Sequence, residues 1–290
     1  MPKALIIVGP TAIGKTHIAI ELAKKNQIPI ISVDSRQVYK ELTIGVAKPS
    51  LVELNAVKHI EIGSVGIEEN NDVALYCQRV ASFLKNYKKN VILAGGTGFY
   101  IKALIEGISE LPKRDTNLRE KLNLLFENQG IIALQAEYHK LNKPYPLVDL
   151  QNPQRLIRAI EMGENYTPSP KSTYLEGYDI AILGLEMPRA ALYERINKRV
   201  DTMMENGLLQ EAESLLPFQQ LEALHTVGYT ELFDYLNGKF TINEAVDKIK
   251  QHSRNYAKRQ MTYFKRQLNV QWFDVNDTKK INIFAQTFLT

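Results

Sequence analysis

The sequence predicts an α/β fold, a P-loop NTPase-like parallel sheet flanked by helices, with an inserted all-helical lobe. Three observations carry this expectation. Short β-rich apolar runs alternate with segments of helical spacing, a glycine-rich loop joins the first strand to the first helix, and strand patterns vanish between about Pro112 and Gly177. The core is therefore expected in 1–111 together with 178–290, and the lobe in 112–177.

The elements follow in order. "KALIIVGP" is a buried strand closed by Gly-Pro, and "THIAIELAKKN" places Ile18, Ala19, Leu22 and Ala23 on one helical face. "IPIISVD" is a second strand. Asp72 suits the N-cap of a helix carrying Val73, Tyr76, Cys77, Val80, Phe83 and Leu84, and a third strand follows at Val91 to Gly96. Strands that alternate with helices pair in parallel through right-handed crossovers. In the lobe, helices are expected at Leu118 to Glu127, Ile131 to Leu141 and Pro153 to Met162. "YDIAILGLEMPR" restores a strand at Ile180 to Leu185, and Pro188 opens a helix running to about Asn206. A long helix from about Asn243 to Leu268 and a short strand, "VQWFDV", complete the core.

Bulk composition excludes several classes. The 290 residues carry a net charge of +4 and 44% hydrophobic content, ordinary for a globular enzyme and compatible with a polyanionic partner. The single cysteine, Cys77, rules out an internal disulfide framework and a cysteine-built zinc site, and fits a reducing compartment. The apolar run in "MPKALIIVGP" is too short for a signal core or a membrane span, so a cytoplasmic protein with no membrane partner is expected.

"GPTAIGKT", Gly9 to Thr16, matches G-x-x-x-x-G-K-[ST] between a strand and a helix. Backbone N–H groups of Gly9, Pro10's neighbours Thr11, Ala12 and Ile13, and Gly14 are expected to cradle a di- or triphosphate. Lys15 adds charge, the Thr16 hydroxyl suits Mg²⁺, and the helix N-terminus adds its partial positive charge. A kinase or ATPase usually adds a second acid at a strand end, yet "VILAGGTGFY" ends in Gly95, Gly96 and Thr97. Asp34 is left as the acid at a neighbouring strand end, serving metal or substrate, or merely capping a helix.

At these residues the chain resembles the tRNA dimethylallyltransferases, or isopentenyl-tRNA transferases. The matching pieces are "GPTAIGKT", "ISVDSRQVYKELTIGVAKP", "LAGGTGFYIKALIEG", "NPQRLIRAIE", "LYERINKRVDTMMENGLLQEAE", "TVGYTE" and "YAKRQMTYFKR", which span nearly the whole chain. The resemblance implies transfer of a dimethylallyl group from dimethylallyl diphosphate to the exocyclic amine of an adenine beside the anticodon of tRNA. It implies Asp34 as general base, and Lys15, Thr97 and Arg199 on the diphosphate with Mg²⁺, Arg195 being able to substitute for Arg199. It also implies RNA contacts by Asp34, Ser35, Arg36, Gln37 and Thr97 around the flipped adenine, and by Arg119, Gln154, Arg155, Leu156, Ile157 and Arg158 on the lobe. A monomer is expected. The chain departs from the family pattern at Val46, Asn152 and Thr230, and it lacks the zinc-finger extension of eukaryotic members, which points to a bacterial-type enzyme.

The segment Lys248 to Arg266 holds seven cations and no acidic residue. With Ile249, Tyr256, Met261 and Phe264 at roughly helical spacing, it reads as a helix that packs by one face and offers Lys258, Arg259 and their neighbours to an RNA backbone. The nearest rival is an adenylate isopentenyltransferase acting on AMP, ADP or ATP, which needs neither this helix nor "QRLIR". A P-loop kinase lacks its strand-end acid, and an RNA-binding module leaves the phosphate loop without a purpose.

Overall fold

Six short runs form strands: β1 (Lys3–Val8), β2 (Ile30–Val33), β3 (His59–Ile60), β4 (Val91–Gly95), β5 (Asp179–Glu186) and β6 (Gln271–Asp274). All pair in parallel, in the order β3-β2-β4-β1-β5-β6. β1 is central, with Ile6 opposite Leu93 on one side and Ile182 on the other. Both faces of β1 are covered, so Ala4 to Val8 form one unbroken buried run. β3 was not expected. Two residues are too few to show alternation.

The helices are α1 (Lys15–Asn26), α2 (Leu51–Ala56), α3 (Val73–Tyr87), α4 (Gly98–Glu106), α5 (Thr116–His139), α6 (Pro153–Met162), α7 (Arg189–Glu205), α8 (Leu208–Leu215), α9 (Tyr229–Leu236), α10 (Ile242–Gln267) and α11 (Thr278–Leu289). Asp72 caps α3 as expected, its Oδ1 accepting from Leu75 N at 2.9 Å. The computed structural model describes residues 1–109, 115–141, 148–163 and 173–290. It divides into Met1–Gly107 with Thr173–Thr290, and Ile108–Ser172; of the boundaries expected at Pro112 and Gly177, Pro112 lies outside the described residues.

In the first unit, alternate residues Leu5 and Ile7 of β1 join Ile18, Leu22, Ile92, Leu183, Ile196, Ile281 and Ala285 in one apolar core. This core pins α1, α7 and α11 to the sheet, and so fixes the loops that leave the carboxyl ends of the strands. No helix among the described residues is long and apolar enough to cross a membrane.

In the second unit, the first two of the three expected lobe helices meet at Gly130, whose φ of 73° breaks the helical geometry inside α5. Leu122, Leu134, Tyr138, Leu156, Ile157 and Ala159 form its core. Asn152 caps α6 through Oδ1 to Arg155 N at 3.1 Å, a duty an aspartate would share. Beside that core the Glu161 carboxylate, fully buried, accepts from Arg119 at 2.7 and 2.8 Å and from Arg158 at 3.1 Å. Burial alone would raise its pKa, but the two guanidinium groups hold it below the ordinary value. A depressed carboxylate pKa contributes stability that is present above the unfolded value and lost as pH falls through the folded one. Amide exchange in α5 and α6 is therefore expected to accelerate on acidification through the carboxylate range. Glu161→Ala, which removes the carboxylate shared by the two guanidinium groups, is expected to destabilise this unit and to remove that pH dependence.

Candidate active site

The loop Gly9 to Thr16 leaves the carboxyl end of β1 and turns into α1 through Gly14 in the left-handed region, φ 106°. No side chain caps α1, so its first N–H groups remain available to an anion. Lys15 curls back over the loop, donating from Nζ to Gly9 O at 2.9 Å and Pro10 O at 2.8 Å. Burial, then the neighbouring Arg199 charge, lower its pKa from 10.5 to about 7, and Asp34 pulls in the opposite direction.

Two arginines one turn apart on α7 reach the same loop. Arg199 Nη1 lies 3.4 Å from Thr11 Oγ1, and Arg195 Nη1 donates to Ile13 O at 3.3 Å. Burial lowers the Arg199 pKa while Asp34 raises it. Arg199 thus reaches the phosphate loop and feels the charge of the Asp34 carboxylate.

Asp34 ends β2. No helix follows it, so the helix-cap reading fails; instead Oδ1 accepts from Arg36 N at 2.9 Å and Gln37 N at 3.3 Å, closing a tight turn. Oδ2 makes no hydrogen bond among the described residues. Ser35 N donates to Thr97 Oγ1 at 3.0 Å, which ties this turn to the one after β4. Beside them the Tyr256 phenol is pushed up to about 12, by burial first and then by the Asp34 charge.

One cavity of about 990 Å³ is lined by Thr11, Ala12, Gly14, Lys15 and Thr16, by Asp34 to Gln37, and by Arg199, Tyr256 and Arg259, and Thr97 lies outside this lining. Ile13 is buried beneath the loop in the core. Among the described residues no three His, Cys, Asp or Glu side chains converge on a metal position. Among the oxygen donors lining the cavity, the Thr16 hydroxyl suits a hard cation completed by phosphate and water oxygens.

Several expected site residues have internal duties. Arg36 donates to the carbonyls of Glu222, Ala223 and His225 at 2.8, 3.0 and 3.2 Å, holding the 222–225 segment. Gln37 accepts from Ser32 Oγ at 3.0 Å and donates to Val46 O and Ala47 O at 3.2 and 3.0 Å, so both ends of its amide are occupied. Val46 takes part through its carbonyl, which any residue supplies. On the lobe, Leu156 and Ile157 are fully buried and face its core instead of RNA, Arg119 and Arg158 grip Glu161, and Arg155 lies 3.6 Å from Asp149 on an exposed surface beside exposed Gln154.

The cationic face of α10 is narrower than its sequence implies. Lys250 pairs with Asp201 at 2.5 Å, Arg254 donates to Asn197 at 2.6 Å, and Lys265 pairs with Glu186 at 3.0 Å. Their partners sit on α7 and β5, invisible to a local count of charge. Lys258 and Arg266 have no ion-pair partner among the described residues, and the Arg259 guanidinium lies 5.8 Å from the centre of the Tyr256 ring.

In the sequence Tyr256 reads as packing, and Gln260 is hidden in a cationic segment. The available signal was Gln260's place on the buried stripe Ala245, Ile249, Ala257, Phe264. Glycine is required in the turn after β4, because a Cβ on Gly98 would sit 2.3 Å from the Tyr263 ring. Gly98→Ala is expected to destabilise the fold by about 1–3 kcal/mol, read from urea unfolding.

Residues 37–267 match the family model described as IPP transferase. A tRNA dimethylallyltransferase of Flavobacterium johnsoniae is 43% identical over 291 residues, covering 94% of this chain and 94% of its own. That of Cytophaga hutchinsonii is 39% identical over 295 residues, covering 98% and 97%. Among solved structures, the tRNA isopentenylpyrophosphate transferase of Bacillus halodurans superposes with a TM-score of 0.72 at 34% identity, over 99% of this chain and 95% of that one. The family match begins after the phosphate loop and Asp34, so their roles rest on geometry and motif, while the match across the turns, α7 and α10 that frame them places the chain in the IPP transferase family.

Proposed function

We propose that this protein transfers a dimethylallyl group from dimethylallyl diphosphate to the N6 amine of the adenine next to the anticodon in tRNA. The observation that carries the reading is one cavity bordered by a phosphate loop, a strand-end carboxylate and a buried arginine. A diphosphate in the loop Gly9 to Thr16 would meet Lys15, the first amides of α1 and Arg199. There the charge of the departing group is neutralised as its bond to the allylic carbon breaks. Thr16 would hold Mg²⁺ together with the phosphate oxygens, adding charge to the same leaving group.

The adenine amine is a poor nucleophile because its lone pair is delocalised into the ring. Asp34 lines the cavity, its Oδ2 has no hydrogen bond among the described residues, and it would take the amine proton as the new C–N bond forms. Thr97 would meet the leaving oxygen, its hydroxyl oriented by Ser35 N. The target base must be swung out of its stack, at a cost on the order of a few kcal/mol that RNA contacts offset. Lys258 and Arg259 on α10 and Gln154 and Arg155 on the lobe are the exposed groups suited to those contacts. Arg36 and Gln37 contribute by holding the turn in place, with their backbone facing the base. We assign the reaction to a monomer in the cytoplasm.

With labelled dimethylallyl diphosphate and Mg²⁺, unmodified tRNA carrying adenine at that position is expected to be labelled and AMP to be a poor acceptor. Equal labelling of AMP would replace the RNA reading with the nucleotide one, and ATP turnover without prenyl transfer would remove both.

A further inference from the structure

Gln260 is only 6% exposed, yet it is polar and lies on the packing face of α10. Its Oε1 accepts from Thr11 N at 2.8 Å, and its Nε2 donates to Gly96 O at 2.9 Å. One partner belongs to the phosphate loop after β1, the other to the turn after β4. A Cβ on Gly96 would stand 2.3 Å from Nε2, so the glycine is what lets the amide in. Tyr263 packs over Gly98 in the same turn, and Tyr256 interacts with Asp34 and Thr97. The exposed side of this helix carries Lys258, Arg259 and Arg266.

We infer that Gln260 is a positioning residue that sets the spacing between the phosphate loop and the Gly95–Gly98 turn, and so couples RNA held on α10 to diphosphate held in the loop. The inference rests on the proposed reaction and deepens it.

The chemistry of the amide makes the link directional. An acceptor faces the Thr11 N–H and a donor faces the Gly96 carbonyl, so no other common side chain of this size satisfies both. With its N–H committed to Gln260, Thr11 presents its hydroxyl toward Arg199, 3.4 Å away. A continuous helix transmits a displacement of its cationic face to its buried face, and therefore to both loops at once. Binding energies coupled in this way are reciprocal: RNA must tighten diphosphate binding by the factor by which diphosphate tightens RNA binding.

The test uses the full-length protein, inorganic diphosphate with Mg²⁺ as a non-reacting probe, and an anticodon stem-loop RNA carrying the target adenine. Calorimetry is expected to show the RNA tightening diphosphate binding by about fivefold or more in the unsubstituted protein. Gln260→Met, which removes both bonds, and Gln260→Glu, which keeps the acceptor but opposes Gly96 O with a second oxygen, are both expected to reduce that factor to near one. A purely structural role would lower the melting temperature and leave the factor intact. In the unsubstituted protein, RNA alone is expected to slow amide exchange around Thr11, a readout that decides the matter even if both variants unfold. Absent coupling, coupling that survives in both folded variants, or unchanged exchange near Thr11 overturns the inference. If prenyl transfer to tRNA occurs while the coupling survives in both variants, Gln260 alone has been misassigned; if no RNA is bound and no transfer occurs, the proposed function falls with it.

Discussion

Asp34→Asn is expected to leave diphosphate and Mg²⁺ binding close to normal while prenyl transfer falls by on the order of a hundredfold or more. The asparagine amide keeps an oxygen that can accept from Arg36 N and Gln37 N, so the turn that closes on Oδ1 persists. What disappears is the negative charge at Oδ2 and its capacity to take a proton from the amine. Because Asp34 opposes the desolvation of both Lys15 and Arg199, removing its charge also deepens the depression of the Lys15 pKa. Diphosphate titration followed by single-turnover transfer separates these effects. Transfer at the normal rate would remove Asp34 as base, and loss of Mg²⁺ and diphosphate binding would make it a metal group.

Lys15→Met is expected to weaken diphosphate binding and to cut transfer by on the order of a hundred- to a thousandfold, as for loss of one preorganised charge at a leaving group. The fold itself should not suffer. Between about 7 and 10.5 the folded protein binds fewer protons at this lysine than the unfolded chain does, so the stability of the unliganded protein rises with pH across that window. Removing the buried amine removes that slope, and below about pH 7 it removes a desolvation penalty, so the variant should melt at the same temperature or higher. The same linkage makes a prediction for the unsubstituted protein. A bound diphosphate favours the charged amine, so binding at a pH between these values takes up close to one proton. Calorimetry in buffers of different ionisation enthalpy measures the uptake; no uptake would mean that Lys15 is already charged without ligand.

Much of this architecture was legible in the chain because its signals are local. The loop "GPTAIGKT" between a buried strand and a helix, the helix α6 at Pro153–Met162 and the cap at Asp72 each depend on a few adjacent residues. The site was legible where motifs sit at strand ends, since a parallel sheet brings those ends to one edge. Duties that depend on distant partners were not. Gln37 and Arg36 looked available to a base until the chain brought Val46, Ala47 and the 222–225 carbonyls to them. Arg119 and Arg158 looked like surface cations until Glu161 was placed between them.

By itself, then, the sequence determined the α/β class, five of the six strands, the phosphate loop and the acid that follows β2, because periodicity and turn chemistry act over a few residues. Only the tertiary structure decided which cations of α10 pair with α7 and β5, that Asp34 closes a turn instead of capping a helix, and that Gln260 bonds Thr11 across 249 residues. The reason is physical: a side chain's partner is set by which elements pack together, and no local pattern in the chain encodes a contact between residues that only the closed core brings within 3 Å of each other.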